Sequence, residues 1–409
     1  MIPLKDAQEY VLQHCRVGQS ELRSSRSSLG LVLAEEVLTS EDVPPFDNTA
    51  MDGFAVRSED TLEAPQQLEI VGTIPAGSAP DFSINPGQAA RIMTGAPLPE
   101  GADAVVMVEL TQVEGDQVTV QKTVSEGNHI RRAGEDLESG QIVFEKGTKL
   151  TPTHLGVLAS IGCLEVSVFS PIKVGVMSTG DELVEGKVPL EPGQIRDSNR
   201  YSLLALLNDL GLEGVDLGLI PDNEESIEAA IRSACFGEDS CDAVISSGGV
   251  SMGDFDYVKV VLDRLGEMQW MQVAIKPAKP LAFGLVGDTP VFGLPGNPVS
   301  SIVSFELFVL PALKKMMGEP EIWAPKIQAI ADSSLSRRPD GKTHFARVKA
   351  YIGDGSYRVK SAGGQGSHQL SAMADANALA VIPDGDGINE GGLVEIIFLH
   401  QLTRRLNGS

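Results

Sequence analysis

Four cysteines in 409 residues (Cys15, Cys163, Cys235 and Cys241) leave little room for covalent or thiolate-metal architecture. None forms a C-x-x-C pair, so neither a zinc site nor a disulfide frame is supported, and the thiols read as buried groups in a reducing compartment. No apolar run is long enough to span a bilayer. The best, 302–313, carries Glu306 and Pro311 and stops too soon. The opening MIPLKDAQEY lacks the charged-then-apolar layout of a signal peptide, and the expected location is cytoplasmic. The 6 histidines form no cluster, and no nucleophile with an obvious paired base is evident. Positive charge is also short. With 32 basic against 56 acidic residues the net charge is −24, a field that repels nucleic acid and anionic membranes and makes both poor partners. An anionic substrate would need local cations or a metal ion to bind.

What is present is a globular composition, 42% hydrophobic and 22% charged, in a chain long enough for two to four domains. Residues 1–40 read as helical: Leu4, Ala7, Val11 and Leu12 fall at helical spacing after Pro3, and a second helix is expected over 29–37. Pro44-Pro45 ends that pattern. From there to about residue 132 short alternating runs at 68–72, 89–93, 104–108 and 117–120 predict strands separated by Gly/Pro turns. Asn48 and Asp52-Gly53 are turn chemistry, and the paired cations Arg131 and Arg132 stand beside Gly134. Residues 137–170 return to mixed structure, with a helix at 153–161 and a strand at 164–169, and are expected to pack with the N-terminal helices.

From Pro171 strand and helix alternate, which argues for a parallel sheet with helices on both faces. In such a sheet the loops after the strands gather on one edge, where ligands bind. The expected fold is thus multidomain α/β. A three-layer parallel-sheet domain spans 171–320, a discontinuous N-terminal helical domain takes 1–40 plus 137–170, an inserted β-rich domain takes 41–136, and a small β-domain takes 326–405.

The richest loop follows the apolar run Ala243-Val244-Ile245, in AVISSGGVSMGDFDY. Side chains shrink at Ser246, Ser247, Gly248 and Gly249, where backbone N–H groups are expected to face a ligand, and Asp254 and Asp256 follow before a helix over 256–265. Other loops on the same edge contribute Glu182, Asp222, Lys276, Lys279 and Ser300. Carboxylates with small oxygen donors suit Mg²⁺ held partly through a substrate phosphate. Two lysines around Pro277 complement an anion as point charges, and the helix after Pro298 offers free N–H groups to it.

Read together, PPFDNTAMDGFAVR, RIMTGAP, RRAGED, STGDEL, SSGGVSMGDFDY, IKPAKP, GLPGNPVS and GQGSH resemble the molybdopterin molybdenumtransferase family, bacterial MoeA and the E-domain of gephyrin-like proteins. Ala278 stands where the family usually has Gly. The resemblance implies a homodimer of four-domain subunits that inserts molybdate into adenylylated molybdopterin and releases AMP. It implies that Asp52 and Thr94 reach the partner subunit's site, that Glu182, Asp222 and Asp256 hold Mg²⁺ or orient the phosphate, and that Lys276, Lys279, Ser300, Arg347 and Ser367 surround the molybdate. Ser247, Gly248, Gly249, Arg132 and Pro298 are then expected to contact the substrate, and the molybdopterin adenylyltransferase is the expected protein partner. Two rivals remain at this stage. One is that adenylyltransferase itself on the same fold, against which the first 170 residues and the β-tail argue. The other is a non-catalytic gephyrin-like scaffold, against which the retained acids and lysines argue.

Overall fold

The computed structural model describes residues 1–249 and 257–399. The chain divides into two compact units: residues 1–21, 30–34 and 168 onward form one, and residues 22–29 and 35–167 the other. Helix α1, Leu4–His14, opens the first unit after Pro3 and buries Ala7 and Val11, one turn apart. The second helix expected over 29–37 does not form. Gly30 takes a left-handed φ of 80°, which stops a right-handed helix, and Leu33 makes an isolated bridge to Val168 instead.

In the unit containing residues 35–167, six strands build one sheet in the order β4-β1-β3-β2-β6-β5. They are β1 Gly53–Val56, β2 Gln66–Ile74, β3 Gln88–Ile92, β4 Ala104–Met107, β5 Thr111–Glu114 and β6 Gln117–Val120. The alternation that predicted them sorts β1 onto two cores. Phe54 and Val56 enter one cluster and Ala55 the other, so both faces of the strand are covered. Gly53 is required by close packing, since a Cβ there would lie 2.0 Å from the Val106 carbonyl oxygen. Helix α2, Pro152–Ser160, starts on a Thr151 cap and is followed by Gly162 at φ 70°.

The other unit holds the mixed sheet that positions the site. Its strands are β7 Lys173–Thr179, β8 Glu213–Ile220, β9 Ala243–Ser247, β10 Glu267–Gln272, β12 Pro280–Val286 and β13 Thr289–Leu294, with the short β11, Ile275–Lys276, between β10 and β12 in sequence. The sheet order is β8-β7-β9-β13-β12-β10. The four strands β8, β7, β9 and β13 are parallel, as expected. Strand β12 runs antiparallel to both its neighbours, β13 and β10; a two-residue turn joins it directly to β13 and leaves no room for a crossover helix. Side chains alternate between two cores. Ala243, Ile245 and Phe292 face helices α1 and α3 (Asn199–Asp209), while Val244 and Val291 face α4 (Glu224–Phe236) and α5 (Tyr257–Leu265). That is the three-layer arrangement, with helices on both faces.

After β13 the chain enters α6, Pro298–Ser304, passes through a π-turn at Phe305–Val309 and continues as α7, Leu310–Met316. Pro311 explains the π-turn: it has no N–H to donate and its ring crowds the carbonyl four residues back. Helix α1 packs on β12 and α7. The C-terminal segment forms a closed five-stranded ring from β14 Lys326–Ala331, β15 Thr343–Gly353, β16 Ser356–Ser361, β17 Ala378–Ile382 and β18 Leu393–Phe398, with one short helix, α8, at Leu370–Ala374. Strand β11 attaches to this ring through Lys276 opposite His344.

Candidate active site

Because β7, β8, β9 and β13 are parallel, their carboxyl ends deliver the loops at 180–182, 221–223, 248–249 and 295–297 to one edge of the sheet. The acidic side is built by the first two. Glu182 folds back over Gly180, where a Cβ would fall 2.6 Å from its carboxylate oxygen, and the Asp222 N–H donates to Asp181 Oδ1 at 3.4 Å. Burial, then the negative charges of Asp181 and Glu182, hold the Asp222 carboxyl above its ordinary range. Predicted acids Glu182 and Asp222 are thus brought together. Asp181, adjacent to Glu182, belongs with them though the motif reading passed over it. Asp254 and Asp256 lie outside the described residues. Among the described residues no three acid, imidazole or thiolate groups converge to hold a metal ion. The donor set still fits Mg²⁺, which takes oxygen ligands and typically uses one or two carboxylates completed by water and substrate phosphate.

The glycine loop is shaped by contacts the sequence did not announce. Gly248 and Gly249 have φ of 97° and 67°, and a Cβ at Gly248 would lie 2.7 Å from the Thr179 carbonyl oxygen. The expectation of free backbone donors needs correction at Gly248, whose N–H is bonded to the Leu294 carbonyl at 3.1 Å. Here glycine serves close approach between β9, β7 and β13. Ser247 Oγ accepts from Asn199 Nδ2 at 2.8 Å, and the same nitrogen donates to the Gly296 carbonyl at 2.7 Å. Asn199 is the first residue of α3; the cap position before it is Ser198, whose side chain makes no cap bond.

The cationic side forms a cavity of about 500 Å³ whose lining includes Lys276, Lys279, Ser300, Ser367, Asn297, Lys342 and Gln365. Four of the five residues expected around an oxyanion therefore share one wall. Ala278 lies between the lysines at φ 70°, buried, so the Cβ that replaces the usual glycine is held in the left-handed region. The Val273 N–H donates to the Lys279 carbonyl at 2.8 Å and closes the turn. The Val299 N–H, in the first turn of α6 beyond Pro298, is bonded to the Ser367 carbonyl at 3.1 Å and ties the Gly363–Ser367 loop to that helix. Arg347 is not part of the lining. It is 1% exposed behind the loop and donates from a terminal nitrogen to the Gly364 carbonyl at 2.5 Å. Its Nε has no partner, and burial holds the guanidinium below its ordinary value. Lys342 and Gln365 were missed; the turn residues Asp340-Gly341 before Lys342 were the available signal.

Asp52 and Thr94 belong to the unit of residues 35–167, and there they meet. The Thr94 N–H and hydroxyl both donate to Asp52 Oδ1 at 2.7 Å, which holds the Asp52 carboxyl below its ordinary range. In the same unit Arg132 donates to Asp47 Oδ2 at 2.6 Å, while the Ala133 N–H donates to Oδ1 at 2.8 Å.

Known proteins resemble this chain along nearly its whole length. Residues 2–162 match the MoeA N-terminal region (domain I and II), residues 175–315 a probable molybdopterin binding domain, and residues 331–399 the MoeA C-terminal region (domain IV). The chain is 42% identical to the molybdopterin molybdenumtransferase of Haemophilus influenzae, over 92% of this chain and 93% of that one. It is 34% identical to the Bacillus subtilis protein of the same name, over 100% of this chain and 95% of that one. A crystal structure of the molybdopterin biosynthesis MoeA protein from Pyrococcus horikoshii superposes with a TM-score of 0.82 at 33% identity, covering 98% of this chain and 99% of that one. With that similarity running through all three matched regions, the chain belongs to the molybdopterin molybdenumtransferase family.

Proposed function

We propose that this protein is the transferase that inserts molybdate into adenylylated molybdopterin, with Mg²⁺ and with release of AMP, as a step of molybdenum cofactor biosynthesis. The observation that carries the reading is the cavity lined by Lys276, Lys279, Ser300 and Ser367, a cationic oxyanion site in a chain of net charge −24. Lysines and hydroxyls neutralise and orient a doubly charged tetrahedral anion, while Arg347 holds the Gly363–Ser367 loop from behind. Glu182 and Asp222, with Asp256, would hold Mg²⁺, which when bound neutralises charge on the phosphates as AMP leaves. Ser247, Gly248 and Gly249 set the floor under those phosphates.

The reading extends to a cytoplasmic homodimer in which Asp52, Thr94 and Arg132 serve the partner subunit's site. It also includes the four-domain division given above, and delivery of the substrate by the molybdopterin adenylyltransferase. Four free cysteines suit a reducing compartment. The test is Lys279→Ala, assayed by AMP release from adenylylated molybdopterin over a range of molybdate concentrations. Half-saturation is expected to rise about tenfold for the loss of one charge-assisted contact, with the rate recovering at high molybdate. A wild-type molybdate dependence would remove Lys279 from the oxyanion site.

A further inference from the structure

The loop between β7 and α3 leaves the sheet as an acidic strap. Leu183–Val184 pairs with Ile195–Arg196, the Ile195 N–H donates to the Glu182 carbonyl at 2.8 Å, and the strap returns at Asp197. Directly after it, at the start of α3, stand two buried polar residues facing different partners. Asn199 uses both hydrogens of its amide, one on Ser247 Oγ and one on the Gly296 carbonyl. A carbonyl only accepts, so the orientation of this amide is fixed by its partners. Arg200 has a side chain 3% exposed and engages three carboxylates: Asp197 Oδ2 from Nε at 3.0 Å, and Asp216 and Glu185 from its two terminal nitrogens. Burial opposes its charge, but the hydrogen bonds to Asp216, Glu185 and Asp197 outweigh it and hold the guanidinium above its ordinary value.

We infer that Asn199 and Arg200 form a brace that sets the spacing between the glycine loop and the acidic strap, and that both are positioning residues for the transfer reaction. The inference rests on the function proposed above. Asn199 joins Ser247, the last residue of β9 before the glycine loop, to the loop after β13. Arg200 joins the strap, through Glu185, to β8, through Asp216. Because the two are neighbours on one helical turn, movement of the strap is transmitted to the glycine loop by a rigid element. Asp197 also accepts from Ser178 Oγ at 3.2 Å, which fixes the same helix start to β7. Neither residue touches the cationic cavity, so each acts through geometry and not through contact with the oxyanion.

The experiment uses the full-length protein with three substitutions: Asn199→Ala, Arg200→Lys and Glu185→Gln. AMP release is measured with kcat and the molybdate half-saturation separated, together with thermal melting and trypsin cleavage at Lys187, which lies exposed in the strap. Asn199→Ala removes two hydrogen bonds, so kcat per folded molecule is expected to fall about tenfold or more with molybdate half-saturation unchanged. If that variant does not fold, Asn199→Asp keeps the size and the Ser247 contact and should show an intermediate loss. Glu185→Gln frees the strap without burying a charge, so cleavage at Lys187 should rise about fivefold, as for loss of one partly exposed ion pair. Arg200→Lys keeps the charge but reaches fewer carboxylates and should behave like Glu185→Gln in cleavage. Wild-type kcat in Asn199→Ala, or wild-type cleavage in both strap variants, overturns the brace. Absence of AMP release from the unaltered protein would instead sink the proposed function, while the cleavage result still judges the brace.

Discussion

Gly248→Ala tests the packing that shapes the glycine loop, and its cost follows from the geometry. A non-glycine residue held at φ 97° costs about 1–2 kcal/mol. The new Cβ would also stand 2.7 Å from the Thr179 carbonyl oxygen, below any ordinary contact, and relieving it by shifting β9 against β7 costs a further ~1–3 kcal/mol. Loss of unfolded-chain freedom returns only about 0.4–1 kcal/mol. Gly211→Ala is the matched control. Its φ of 77° brings a similar strain, but a Cβ there meets nothing within 4 Å. The difference between the variants isolates the contact, about 2 kcal/mol, or roughly 4–8 °C in melting temperature for domains of this size. Function should separate them as well. Moving Gly248 also strains its bond to Leu294 and the Ser247 hydroxyl beside it, so Gly248→Ala should lose AMP release while Gly211→Ala keeps it. Equal melting temperatures with AMP release intact in both would refute the close approach and the role assigned to the loop.

Two further outcomes follow from the charges. The Asp222 carboxyl is raised in the folded protein by burial and by Asp181 and Glu182, so its ionisation opposes folding: stability is fully present below its unfolded pKa and is lost as pH rises through the raised one. Asp222→Asn should therefore melt higher than the unaltered protein at pH 7 but not at pH 3, and Mg²⁺ should stabilise only the unaltered protein; a lower melting point at pH 7 would contradict this. For the dimer, mixing inactive Asp52→Ala with inactive Asp256→Ala subunits should restore part of the AMP release, and mixed dimers that stay inactive would count against shared sites.

How much of this was legible in the sequence depended on whether a residue's partner was near in the pattern. The apolar run Ala243-Val244-Ile245 was legible as a buried strand, and the two-residue period of a strand puts Val244 and Ile245 on opposite cores of the central sheet. Lys276, Lys279, Ser300 and Ser367 were legible as site residues because motif spacing is local, even though the cavity joins them across the fold. The helix expected over 29–37 failed because hydrophobic spacing says nothing of the backbone angle taken at Gly30. Gly248 was read as a free donor because its acceptor, the Leu294 carbonyl, is remote in sequence. Asn199 and Arg200 were invisible for the same reason, since their partners arrive from four other loops and strands. The reversed direction of β12 was likewise a matter of connection length, not composition.

Two charged groups in or beside the candidate site, Asp222 and Arg347, are poorly answered within the protein. Among the described residues, three arginines with largely covered side chains are answered by carboxylates: Arg200 by three of them, Arg337 by Asp340 and Asp384, Arg358 by Asp332. Arg347 is answered by a carbonyl alone, with its Nε unpaired and burial as the cause of its shift. Asp222 has the opposite defect, a carboxyl crowded by two further acids. An unanswered buried charge costs stability, so a fold keeps one only where other packing offsets the cost. Under the proposed function the two defects are complementary. A bound metal ion would supply positive charge to the acids, and an oxyanion in the lysine-lined cavity would supply negative charge beside the loop that Arg347 holds from behind. Neither ligand can answer both. The residual charges therefore favour a state in which the metal-bound substrate and the oxyanion occupy the protein together, which is the state the transfer requires.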